Sequence, residues 1–80
     1  MISSEQLRAA RAMLRISVVD LSLMAKVGVA TIKRIEAGSG LPSANIRTLD
    51  SITKALQLAG VEFIGSPEDG PGVRLVKPAS

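Results

Sequence analysis

The stretch that most constrains the fold of this 80-residue chain is RISVVDLSLMAKVGVATIKRIEAG, residues 15–38. Leu21 and Ala25 lie four residues apart in its first half, and Ile32 and Ile35 lie three residues apart in its second half. Such spacings place two side chains on one face of an α-helix. A glycine stands near the start of the second half, where a helix cap is expected. The stretch therefore predicts two short helices that are joined by a tight junction and that each bury one face.

Helix-capping signals precede the first two helices. Ser3 and Gln6 have the spacing of a capping box, and so do Ser17 and Asp20. Apolar residues follow the first box at helical spacing, and the face that they predict to be buried comprises Leu7, Ala10 and Leu14. These boxes predict where helix 1 and helix 2 begin.

The rest of the chain predicts one long helix and then a hairpin. Ser43 and Gly60 are the expected N-cap and C-cap of helix 4, and its predicted buried face comprises Ile46, Leu49, Ile52 or Thr53, and Leu56. The stretches VEFI and VRLV alternate on either side of GSPEDGPG, which is rich in turn residues, and this pattern is typical of a two-stranded hairpin. Because a lone hairpin is marginal in water, we expect it to lie on the helices or to pair with a second chain. The final KPAS is expected to be frayed.

Composition excludes several classes of function. The chain has no Cys and no His, which removes disulfides, thiolate metal sites and the commonest general base. Its carboxylates are scattered, so we predict that it is not an enzyme and needs no cofactor. The net charge of +3 permits nucleic-acid binding without demanding it. Neither a membrane helix nor a signal peptide is apparent, and we expect a cytoplasmic protein without membrane partners.

Four short helices with a tight second-to-third junction are the helix-turn-helix arrangement. The pattern resembles the Cro/repressor-type, or XRE, family of bacterial transcription regulators. The matching residues are QLRAARAMLRIS, Leu21, Ala25, Val27, ATIKRIEAG and LPSANIRTLDSITKAL, followed by a hairpin-like tail. We therefore predict an all-α fold, a four-to-five-helix Cro/repressor-like helix-turn-helix domain over residues 1–60. A short C-terminal β-hairpin and tail would occupy residues 61–80.

The resemblance implies DNA reading by helix 3, with Val18 as the backbone anchor of helix 2 and with Val29, Ala30, Lys33 and Arg34 at or beside the base-reading positions. It also implies a structural role for Glu36 at the end of helix 3.

The chain departs from the family at the positions that would contact DNA. Gln is common at the position of Val18, polar residues are common at that of Val29, and charged residues often stand where this chain has Leu23 and Met24. Lys26 occupies a turn position that is often Gly.

Three explanations remain open for this apolar face. In the first, the C-terminal hairpin or a loop covers Val19, Leu23 and Met24. In the second, the face is a homodimer interface. In the third, it is a docking surface for another protein. We favour docking by Val18, Val19, Leu23, Met24 and Val29, with Lys33 and Arg34 as a polar rim. The predicted function is then transcriptional control by an antiactivator, which sequesters a transcriptional activator.

The alternative function is that of a dimeric repressor that binds DNA at an operator. In that case the contact residues are Lys33, Arg34, Ala30 and Arg15. Arg8, Arg11 and Arg15 form a stripe with helical spacing, and the sequence leaves open whether they contact phosphates or form a solvated face. A third possibility is an antitoxin-like partner protein, for which a neighbouring toxin reading frame would be the clue.

Overall fold

The computed structural model describes residues 1–76. Helix α1 spans Ser4–Leu14 and begins at the predicted capping box. The Ser3 hydroxyl accepts a hydrogen bond from the Gln6 amide at 3.0 Å, and the Gln6 side chain accepts one from the Ser3 amide at 2.8 Å. The predicted inward residues Leu7, Ala10 and Leu14 are all buried, so local capping and apolar spacing together position this helix.

Helices α2 (Val18–Ala25) and α3 (Val29–Glu36) are separated by three residues. The predicted box of Ser17 and Asp20 caps α2, whereas the Gly28 N-cap of α3 offers no side-chain bond. Lys26 ends α2 in the left-handed conformation, at φ 57°, where glycine is the favoured residue. The Ser22 hydroxyl donates to the Val27 carbonyl at 2.6 Å and ties α2 to the turn. The predicted pair of short helices with a tight junction is confirmed.

Helix α4 spans Ile46–Ala59. The predicted N-cap at Ser43 is wrong, because Asn45 caps the helix and its side-chain oxygen accepts from the Arg47 amide at 2.7 Å. The predicted burial of Ile46 is also wrong. This residue is 72% exposed, since it is the first of the helix and lies before the buried face begins. Leu49, Ile52 and Leu56 are buried as predicted. None of the helices within residues 1–76 combines the length and the apolar character that are needed to cross a bilayer.

The predicted hairpin is present as β1 (Val61–Ser66) and β2 (Asp69–Leu75), which pair antiparallel in one two-stranded sheet. The register is irregular between Ile64 and Ser66. Gly65 lies there at φ 73°, and a Cβ on it would come within 2.2 Å of the Gly70 carbonyl oxygen. Only glycine fits this position without moving the opposite strand.

The hairpin is docked on the helices of its own chain. The Gln6 side-chain amide donates to the carbonyls of Ile64 and Gly72, at 3.0 Å each. Val61 is buried in the core, and Phe63 and Val73 pack against it. Gln6, which completes the capping box of α1, therefore also binds both strands of the hairpin.

This packing corrects the predicted fold class. The all-α assignment is wrong, because an antiparallel sheet of two strands contributes to the same core as the four helices that residues 1–76 contain. The domain is a small α+β domain. The predicted tail at residues 77–80 lies outside the described residues.

Candidate functional site

The outer face of α2 is apolar. Val19 is 56% exposed, Leu23 is 75% exposed and Met24 is 41% exposed. Val19 and Leu23 lie four residues apart, so their side chains are neighbours on one face of the helix. Met24 follows Leu23 in the chain and is the third exposed apolar residue of α2. We call these three residues the α2 ridge. The opposite side of the helix is held by Leu21 and Ala25, which are buried in the core.

The other two predicted docking residues are placed differently. Val18 is half-buried and packs against the core, and Val29 at the start of α3 is also half-buried. The structure thus exposes three of the five predicted docking residues and uses Val18 partly for packing.

The hairpin does not cover the α2 ridge. Its strands pack against α1 and α4, on the part of the core that Val61 reaches. Leu23 remains three-quarters exposed within the part of the chain that the structure describes. The explanation in which the hairpin or a loop buries this face is therefore wrong for residues 1–76, and the explanations that need a second molecule remain.

The outer face of α3 is cationic. Ala30, Lys33 and Arg34 are exposed, and their spacing of three and four places them side by side on the helix. Neither Lys33 nor Arg34 forms an ion pair with any residue from 1 to 76. Their charges are therefore available to a partner of opposite sign.

The predicted arginine stripe is divided by the fold. Arg11 forms two hydrogen bonds of 2.8 Å with the carboxylate of buried Glu36, and this pairing raises the pKa of Arg11. Arg8 donates to the Gly38 carbonyl at 2.8 Å and also to the Glu36 carbonyl. The predicted solvated face is wrong for Arg8 and Arg11, because both are half-buried and their guanidinium groups hold the end of α3 against α1. Phosphate contact by these two residues stays a prediction. Arg15 alone of the three is exposed.

Asp20 is the exposed acid of α2, and its carboxylate is already engaged. It accepts a hydrogen bond from the Ser17 amide at 2.9 Å. The bonds from the Ser17 backbone and hydroxyl lower the pKa of Asp20. This carboxylate is a helix cap that keeps its negative charge, and it forms no ion pair with a cation within residues 1–76.

Sequence reasoning missed two polar anchors of this unit. The buried Ser4 hydroxyl donates to the Ile35 carbonyl at 2.7 Å, and Ser22 holds the turn as described above. Neither has a sequence signal beyond a small polar residue in a helix. Within residues 1–76, no group of three acidic, His or Cys side chains is placed to hold a metal ion.

Comparison of the sequence with protein-family models gives no match, and comparison with curated proteins gives none either.

Proposed function

We propose that this chain is a regulator of the helix-turn-helix type, similar to the XRE family, whose α2–α3 surface binds another protein. The observation that supports the proposal is the uncovered α2 ridge. Three exposed apolar side chains on one helix of eight residues, two of them neighbours on one face, are characteristic of an interaction site rather than of ordinary surface. Methionine adds a side chain that adapts to the shape of its partner.

Burial of the ridge would supply substantial binding free energy. Complete burial of a Val, Leu or Met side chain contributes roughly 1.5–3 kcal/mol relative to full exposure. Each ridge residue is already partly covered, so a partner gains only the remaining fraction. A specific interface needs about 800 Å² from each side, which three residues do not provide. We infer that Val29, Ala30, Lys33 and Arg34 extend the contact onto α3.

We further propose that the partner is a transcriptional activator, which the chain sequesters in the bacterial cytoplasm as an antiactivator. Two features of the chain support this proposal. The scaffold resembles that of transcription regulators, and the positions that would read DNA are occupied by side chains that cannot donate hydrogen bonds to phosphates or base edges, namely Val18 and Val29. The proposed role is non-enzymatic and needs no cofactor.

The test compares two leucine variants. Leu23→Glu places a charge on the ridge, and Leu58→Glu places the same charge on α4, where the native leucine is 81% exposed. Both variants should keep the far-ultraviolet circular dichroism spectrum of the native chain. Leu23→Glu should abolish regulation of the target genes in cells, measured with transcriptional reporters, and Leu58→Glu should preserve it. Full regulation by Leu23→Glu would refute the docking role of the ridge.

A second candidate function is operator binding by a dimer, and the unpaired Lys33 and Arg34 favour it. In that case Lys33→Ala and Arg34→Ala would abolish binding to a palindromic site near the gene. Binding of the native chain would also fall steeply as salt rises, since each phosphate contact releases counterions. A titration against the upstream DNA and against random duplex, at low and moderate salt, separates the two functions. Tight, selective and salt-sensitive binding would favour the repressor, and its absence would favour the protein partner.

A further inference from the structure

The α2 ridge lies in a cationic surrounding. From residue 15 to residue 34, the exposed charged side chains are Arg15, Lys26, Lys33 and Arg34, against the single acid Asp20, whose carboxylate caps α2. Exposed cations elsewhere are more often neutralised, as with Lys54, which pairs with Asp50 at 3.0 Å, and Arg74, which pairs with Glu62. None of the four cations around the ridge forms an ion pair within residues 1–76. The surface thus combines exposed apolar side chains with an excess of positive charge, from four cations against one acid.

Two of these cations bracket the ridge. Arg15 ends α1 just before α2 begins, and Lys26 ends α2. Both residues have left-handed backbones, at φ 58° and 57°, and the amide of each bonds back to its preceding helix. Since α2 has eight residues, it is about 12 Å long. The two charges are therefore attached to fixed backbone beyond either end of a short apolar stripe.

We propose that the occupant of this surface is an acidic amphipathic helix of another protein. Val19 and Leu23 of the α2 ridge lie four residues apart, and a row of side chains with this spacing packs into the groove between the side-chain rows of a second helix. Apolar side chains on the occupant recur every three or four residues along one stripe. Acidic side chains at both ends of that stripe meet Arg15 and Lys26, and others meet the α3 cations. This inference rests on the proposed docking function and adds the chemistry of the partner.

The charges give the surface its selectivity. Apolar burial alone would accept any amphipathic helix of suitable shape, including a basic one. Complementary charges at the edge of an interface favour one class of partner and repel the other. A basic amphipathic helix would place its cations against Arg15 and Lys26 and would be rejected.

The experiment selects the partner chemistry directly. A displayed library of random peptides of about 16 residues, long enough for roughly four helical turns, is enriched on the native chain and counter-selected on Leu23→Glu. The peptides that survive should carry net negative charge and apolar residues at spacings of three and four. Their affinities are then measured by fluorescence polarisation with labelled peptide.

Charge reversal tests the bracketing cations. In the double variant Arg15→Glu with Lys26→Glu, two attractions become repulsions, and the selected peptides should bind about tenfold more weakly. The matched control reverses Arg47 and Lys54 on α4, which changes the net charge equally and should alter affinity by less than about twofold. Peptides with their acids replaced by lysine should recover binding to the double variant.

The outcomes separate this inference from the proposed function. If selected peptides distinguish the native chain from Leu23→Glu but are neutral or basic, the acidic partner is refuted and the docking surface stands. The acidic partner is likewise refuted if the double reversal leaves affinity within about twofold. If no peptide distinguishes the two chains, the proposed docking function itself fails. If random-sequence DNA duplex displaces the peptides and binds Leu23→Glu equally well, the cations serve nucleic acid and the inference is overturned.

Discussion

Removal of the Gln6 side chain should destabilise the whole domain, because this residue links the cap of α1 to both strands of the hairpin. Gln6→Ala leaves three groups without their partner, namely the Ser3 amide and the carbonyls of Ile64 and Gly72. A lost hydrogen bond of this kind costs about 1 kcal/mol, so the expected loss is about 3 kcal/mol. A domain of this size is stable by roughly 4–12 kcal/mol, and its melting temperature should fall by roughly 12–24 °C.

The assay is urea unfolding followed by far-ultraviolet circular dichroism, since the chain has no Trp or Tyr to serve as a fluorescent probe. Gln57→Ala makes the same change at an exposed position of α4 and should alter the free energy of unfolding by less than about 0.5 kcal/mol. Gln6→Glu keeps an acceptor for the Ser3 amide but sets a carboxylate oxygen against two carbonyls, so it should lose at least as much stability as Gln6→Ala. Equal, small effects of Gln6→Ala and Gln57→Ala would refute the anchoring role.

Three further variants test other parts of the unit. Arg11→Met should lower the free energy of unfolding in urea by about 3 kcal/mol, because it leaves the buried Glu36 carboxylate without its ion-pair partner. Adding Glu36→Leu should recover most of the loss. A double variant as unstable as the single one would contradict this role of the pair. Lys26→Gly should stabilise the domain by about 0.5–1 kcal/mol, since glycine adopts the left-handed backbone without strain, and a lower melting temperature would count against it. The lowered pKa of Asp20 means that its contribution to stability is complete above its unfolded-state pKa and is lost as pH falls through the lower folded-state value. Acid unfolding of Asp20→Asn should therefore depend less on pH than that of the native chain, and an unchanged pH profile would exclude this role of the cap.

Local signals in the sequence predict most of the helices, but they do not predict how the loops and the hairpin pack against those helices. The boxes at Ser3 and Ser17 depend only on a hydroxyl and an acceptor three residues later, so they can be identified without tertiary information. The start of α4 cannot be identified in this way, because both Ser43 and Asn45 are good N-cap residues and the conformation of the preceding loop determines which of them caps the helix. The fold class is wrong for a related reason. Alternating residues predict the hairpin, but nothing local indicates that Gln6 brings it into the helical core.

The candidate site shows the same limit at the level of single side chains. Helical spacing predicts one stripe of Arg8, Arg11 and Arg15, yet Arg11 is paired with Glu36, a residue 25 positions away in the chain, while Arg15 caps the end of α1 and is exposed. Periodicity predicts which side chains share a face of a helix, but the contacts of that face depend on which element packs against it.

The α2 ridge is easier to predict, because Leu21 and Ala25 fix the inward side of α2 and thereby turn Leu23 outward. Exposure alone does not mark a site, since Leu58 on α4 is more exposed than Leu23. Leu23 has an exposed apolar neighbour, Val19, on the same helix face, and this contiguity is the physical reason to expect a partner there.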